Sequence, residues 1–205
     1  LTDSYRTISK PGTSLYKVKG SKHHGYAFSA KDEDEINTRL EEIKKEHHSA
    51  RHVSYAWRLD PDGARFRAND DGEPSNSAGM PILGQIEKYG LTNVLVAVVR
   101  YFGGTKLGVG GLIDAYRTAA QEAIENATIK TLHITAYYRL HFGYDHMGDV
   151  MLVLRTRDWE ASDQDFRESC KLTVSIPPEK EEELCAVFAG FPDIRVEPLG
   201  TKYEL

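Results

Sequence analysis

With 205 residues, of which 40% are hydrophobic and 28% charged, the chain is long enough to bury one large core or two modest ones, and too apolar to remain disordered. A formal net charge of −5 argues against a general polyanion binder, and two cysteines, Cys170 and Cys185, are too few for a disulfide framework or a cysteine zinc site. The longest apolar stretch, residues 91–102, is broken by Thr92, Asn93 and Arg100 and the first six residues have no hydrophobic core of the secretory kind, so a cytoplasmic protein with reduced thiols is expected.

In chain order, Lys17, Lys19 and Lys22 with His23 and His24 form the only dense basic run. It reads either as a strip for phosphate backbones or as a strand edge protected by lysines. A helix is expected over 32–49: Asp32 or Asp34 can cap it, and Ile36, Leu40, Ile43 and His47 recur at helical spacing. His47, His48 and His52 suggest a metal site on paper, though helix surface and strand entry account for them equally. Val53, Tyr55, Trp57 and Leu59 alternate with polar residues as in a half-buried strand. Pro61-Asp62-Gly63 then marks a turn into a second strand at Arg65-Phe66-Arg67. Residues 68–79 carry no large apolar side chain and are expected to form an ordered surface loop. Pro81 opens a short helix with Ile82, Leu83 and Ile86 inward. The near-continuous apolar run from Val94 to Phe102 fits a strand covered on both faces, the centre of a sheet.

Beyond residue 128 the pattern becomes strand (136–142), helix (145–157), strand (159–166), strand (171–176), helix (179–189) and strand (194–198). This β-α-β-β-α-β order is that of the ferredoxin-like fold. Residues 1–133 carry 18 Lys and Arg against 17 Asp and Glu, whereas 134–205 carry 8 against 14, balances of +1 and −6. An α+β chain with two domains, 1–133 and 134–205, is therefore expected. Any anion should meet the first.

The strongest chemical feature is Val98 to Gly111 followed by an amphipathic helix over 112–126. A central strand ends in Gly103, Gly104, Gly108, Gly110 and Gly111, and a helix then begins. Unpaired backbone N–H groups and the positive helix end can face an anion there, with Arg100, Thr105 and Lys106 alongside. A P-loop would need Gly followed by Lys and Ser or Thr, and a dinucleotide fingerprint starting at Gly108 would need glycine where Ile113 stands. The glycines equally fit a tight turn with close helix–sheet packing. Asp70, Asp71, Glu73 and Ser75 form a polar cluster that suits either a metal or acid–base site, or a turn held by side-chain hydrogen bonds. No second ligand set supports a metal, and no catalytic residue, metal or cofactor is assigned.

Gly79-Met80-Pro81-Ile82-Leu83, Tyr89-Gly90-Leu91-Thr92-Asn93-Val94 and Arg100 to Gly108 together resemble the signature of the IMPACT/YigZ family, and the match extends through Asp70 to Ser75 and Lys19 to Lys22. The resemblance covers nearly the whole chain. It implies a first domain resembling domain 2 of ribosomal protein S5, and a second, ferredoxin-like domain resembling one in elongation factor G. Eukaryotic relatives regulate translation by competing for the activator of an initiation-factor kinase, helped by an amino-terminal RWD domain. The sequence opens directly on the family domain, so that partner is not carried over. Two residues depart from the family pattern: His23 stands where an apolar or aromatic residue is usual, and Asp114 where many relatives are basic. An acid there is expected to weaken a polyanion groove.

The resulting expectation is a non-enzymatic, translation-associated protein that contacts RNA, the ribosome or a translation factor through Lys19, Lys22, Arg100, Lys106 and the 103–111 loop, with no membrane contact. The competing expectation is an enzyme acting on a phosphorylated small molecule, cradled by the glycine loop with Asp70, Asp71 or Glu73 as metal or proton handlers. A third is an interaction module presenting the acidic second domain.

Overall fold

The computed structural model describes residues 3–167 and 169–204, without the side chains of residues 203 and 204. The chain divides into two compact α/β units, Tyr5–Thr131 and Leu132 onward with Asp3 and Ser4, each considered separately below.

In the first unit, strands β1 (Ser4–Lys10), β2 (Gly12–Val18) and β3 (Ser21–Ser29) precede helix α1 (Glu33–Glu46). Strands β4 (His52–Leu59) and β5 (Arg65–Asn69), helix α2 (Gly79–Lys88), strand β6 (Val94–Tyr101) and helix α3 (Gly108–Glu125) follow. The sheet has the order β2-β3-β6-β4-β5 and its neighbours pair antiparallel. β6 is central, as its apolar run requires. Val94, Val96 and Val98 pack with Ile82, Leu83, Leu112 and Tyr116, while Leu95, Ala97 and Val99 pack with Ile36, Leu40 and Ile43. Helices α2 and α3 thus cover one face and α1 the other.

α1 begins where its sequence specifies. The Asp32 carboxylate accepts from the Glu35 N–H at 2.9 Å, Glu35 reaches back to the Lys31 N–H at 2.8 Å, and acids fill the first turn with lysines in the last. The expected β4–β5 hairpin forms. Strands β1 to β3 are the main addition to the sequence reading. α2 and α3 also begin earlier than their apolar residues mark, at Gly79 and Gly108.

The division between units falls within β7 (Thr128–Phe142), so the chain passes from one to the other along a strand. The second unit continues with a 3-10 turn (Tyr144–His146), α4 (Met147–Arg157), β8 (Glu160–Phe166), β9 (Cys170–Ile176), a 3-10 turn (Pro178–Lys180), α5 (Glu181–Phe188) and β10 (Arg195–Glu204). β10 pairs with β7, β7 with β9 and β9 with β8, all antiparallel. Tyr138, Leu140, Phe142, Leu172 and Val174 from the sheet pack with Val150, Leu154, Leu184 and Phe188 from the helices. Cys170 is buried, Cys185 is exposed, and both are free thiols. No helix among the described residues is long and apolar enough to cross a membrane.

Candidate anion-binding site

At the end of β6, Arg100 points to the face covered by α3, where its guanidinium lies 2.7 Å from the Glu73 carboxylate. Tyr116 of α3 donates to the same Glu73 oxygen at 2.8 Å. Only 9% of the Arg100 side chain and 4% of the Glu73 side chain remain exposed. Burial, then the Glu73 charge, pushes the Tyr116 hydroxyl pKa upward, so it stays a hydrogen-bond donor. Arg100 Nε, however, has no partner among the described residues. His23, paired with Arg100 across β3 and β6, is fully buried with its ring edge-on to Tyr116 at 5.4 Å, and among the described residues its ring nitrogens make no well-formed hydrogen bond, only a weak approach to the Tyr16 backbone. Burial first, and the Arg100 charge second, lower its pKa from 6.5 to about 4, so the ring is neutral at pH 7.

Above this group opens a cleft of about 890 Å³ lined by Arg51, His52, Glu73, Arg100, Phe102 and Lys106 and by the start of α3, Leu107 to Val109. Leu107 provides no side-chain cap and the first turn holds no acid, so the amide end of an 18-residue helix meets the cleft without a built-in anion. Lys19, Lys22, Arg51 and Lys106 form no ion pair among the described residues. Phe102 is 58% exposed and one face of its ring meets Arg100, the guanidinium carbon 5.7 Å from the centroid.

The glycines divide into two groups. A Cβ on Gly103 would lie 1.8 Å from the Gly20 carbonyl carbon, and one on Gly20 would lie 2.7 Å from the Gly103 oxygen. These two are packing glycines that seat the Lys19–Gly20 turn against the loop, helped by the Gly103 N–H donating to Ser21 Oγ at 3.1 Å. Gly104 and Gly108 instead have φ of +87° and +75°, with no neighbour for a Cβ to strike. Gly110 and Gly111 lie in α3, and Gly110 faces open space. Gly110→Ala is therefore expected to leave the fold intact and raise stability by up to about 1 kcal/mol. Gly104→Ala, with its left-handed backbone, should lower it, and paired urea titrations measure both.

The acidic cluster separates into different duties. Asp70 accepts from the N–H groups of Asn76, Ala78 and Gly79 at 2.8, 2.9 and 2.8 Å, and Asp71 accepts from Val53 N–H at 2.7 Å. Ser75 is an exposed loop residue, and no group of three or more His, Cys, Asp or Glu able to hold a metal occurs among the described residues. Asp70 and Asp71 thus accept from backbone donors and Glu73 from Arg100 and Tyr116, so these carboxylates are engaged in holding the fold. Arg100, expected to add charge from the strand end, is paired with the Glu73 carboxylate. Asp114 does not line the cleft, and its carboxylate is held by Arg117 at 2.8 Å. Thr105 and Lys106 are exposed in the loop. Lys22 and the Gly20 turn border a different pocket, described below. Sequence reasoning missed Arg51, Tyr116 and the pairing of Glu73 with Arg100. The first two carry no motif, and partners 27 residues apart leave no local signal.

An α/β unit with this loop and cleft at the end of its central strand defines a class of protein that comparison places within one family. Residues 19–124 match the family model described as the Impact N-terminal domain. The chain is 28% identical to the Escherichia coli IMPACT family member YigZ over 92% of this chain and 94% of that protein. It is 40% identical to a Thermus thermophilus IMPACT family member over 66% of this chain and 74% of that one. A solved structure described as that of a hypothetical protein superposes with a TM-score of 0.68 at 28% identity, covering 96% of this chain and 98% of its own. The chain belongs to the IMPACT family.

Proposed function

We propose that this protein is a non-enzymatic, translation-associated factor that holds single-stranded RNA by its phosphates in the cleft beside Phe102. The observation that carries the reading is the nine-tenths buried Arg100 guanidinium, beneath a cleft that also collects the uncapped start of α3 and Arg51 and Lys106, with Arg100 Nε unpartnered and neither of the other two cations ion-paired among the described residues. Cationic grooves with an exposed aromatic ring suit single strands, because phosphates supply affinity and every base has a face to stack. Phe102 offers that ring. Family membership supports the link to translation, as the resemblance to eukaryotic regulators implies. The first unit is read as S5 domain 2-like. The second is read as ferredoxin-like, supported by its β-α-β-β-α-β order and antiparallel pairing. The carboxylates an enzyme reading requires are committed to Arg100, Tyr116 and backbone donors, which favours binding over proton transfer.

Lys106→Ala tests the reading. Lys106 is exposed, so its melting temperature should match the wild type. Affinity for a decauridylate should fall, and the slope of log affinity against log salt should decrease by about 0.7, the loss of one phosphate contact on a single strand. Negligible RNA binding by both proteins, with uridine 5′-monophosphate raising only the wild type's melting temperature, would replace RNA with a small phosphorylated ligand.

A further inference from the structure

A second cavity lies at the same end of the sheet, on the other face. Successive residues of β6 point to opposite sides. Arg100 therefore faces the α3 side and the cleft, and Tyr101 the α1 side. There a pocket of about 390 Å³ is lined by Gly20, Lys22, His24, His47, Tyr101 and Phe102. Tyr101 and Phe102 border both cavities.

This pocket has rigid walls. The two ring nitrogens of His47 are held by the hydroxyls of Tyr26 and Tyr101, the latter at 2.9 Å. His24 stands edge-on to Tyr101, with centroids 5.7 Å apart, and its centroid is 5.1 Å from that of His47. Lys22 sits opposite Tyr101 in the β3–β6 register, which fixes where its side chain leaves the strand. The Gly20–Gly103 backbone contact clamps the turn carrying Lys19 against the glycine loop. The lining contains no carboxylate. Glu46 reaches His47 Nε2 at 3.7 Å but is not among the lining residues.

We propose that this pocket is a second phosphodiester site, with Lys22 and His24 holding a phosphate of the same strand whose other phosphate lies in the cleft, so that the RNA crosses the sheet end over Phe102. The assignment rests on the RNA reading of the cleft. Two cavities that each present a lysine, Lys106 in the cleft and Lys22 in the pocket, flank one exposed aromatic ring and match a backbone that alternates phosphate and base; His24, whose pKa burial lowers, serves there as a neutral hydrogen-bond donor. Arg100 lies over the Phe102 ring, which is itself 58% exposed and accessible to a base.

The test uses the full chain, decauridylate and uridine 5′-monophosphate, with affinities measured by anisotropy and calorimetry across a salt series. Lys22 is exposed, so Lys22→Ala should fold normally, with an unchanged melting temperature as the control. It should weaken decauridylate binding several-fold and reduce the salt slope by about 0.7, while leaving the monophosphate affinity unchanged. Lys22→Arg should restore decauridylate affinity, and Lys106→Ala should weaken both ligands. If Lys22→Ala binds decauridylate like the wild type while Lys106→Ala does not, the second site is wrong and the cleft stands. Equal loss of monophosphate and decauridylate binding in Lys22→Ala would mean one merged site and also overturn the proposal. Absence of RNA binding in the wild type overturns both readings.

Discussion

Glu73→Ala should destabilise the protein by about 3–5 kcal/mol, because it leaves a buried guanidinium without its counter-charge. Arg100 is nine-tenths buried, its Nε is already unpartnered among the described residues, and the Tyr116 hydroxyl would lose its acceptor in the same step. Surface pairs in this chain, such as Arg39 with Glu42 at 2.9 Å, bear no comparison, since water solvates both ions when either is removed. The variant's urea midpoint should fall with its m-value unchanged. Replacing both partners, Glu73→Leu with Arg100→Met, should recover most of the loss, because the cost arises from the orphaned charge rather than from a large net gain by the pair. A Glu73→Ala loss under 1 kcal/mol would mean that solvent reaches Arg100 freely. The double variant also separates stability from binding: restored stability with lost RNA affinity is the expected pair of results.

The interior of the first unit was legible where burial is apolar and regular. β6 is covered on both faces, so its residues are apolar from Val94 to Val99, and α1 is covered on one, so Ile36, Leu40 and Ile43 recur at its spacing. Strands β2 and β3 were not legible, for a specific reason. α3 lies so close to them that a Cβ on Gly12 would meet the Ala123 oxygen at 2.1 Å, and one on Gly25 the Ala119 oxygen at 2.5 Å. The positions closest to that helix, Gly12, Ser14, His23, Gly25 and Ala27, are therefore small or polar rather than Val or Ile, and they carry almost no hydropathy signal. The starts of α2 and α3 were obscured in the same way, by glycines where apolar periodicity had not yet begun. Of the site, the glycine loop and Lys106 were visible because special backbone conformation leaves a compositional trace. The Glu73–Arg100–Tyr116 cluster was not, since three chain-distant side chains meet only through the tertiary fold.

His23 is where this sequence departs from what its position asks for, and the departure should be measurable as acid sensitivity. The ring is fully buried, its nitrogens make no well-formed hydrogen bond among the described residues, and its folded pKa lies at about 4, below the 6.5 of an exposed histidine. Above pH 6.5 neither the folded nor the unfolded chain protonates it, and it adds no pH dependence. Between 6.5 and about 4 only the unfolded chain takes up the proton, so stability falls as pH falls. At about 1.4 kcal/mol per pH unit, the loss is about 2 kcal/mol by pH 5 and about 3 kcal/mol by pH 4. His23→Phe keeps an aromatic edge against Tyr116 and removes the titrating group. At pH 7 it should already be more stable by about 1–2 kcal/mol, since two buried polar atoms without well-formed hydrogen bonds are replaced by carbon. The gap between variant and wild type should then widen by about 2 kcal/mol on going to pH 5. Other groups, His24 among them, titrate in both proteins and cancel in the difference. Urea midpoints at pH 7, 6 and 5 provide the measurement. Parallel curves across that range would mean that His23 is reached by water or finds a partner on protonation, and would remove the basis for placing it, uncharged, behind Arg100.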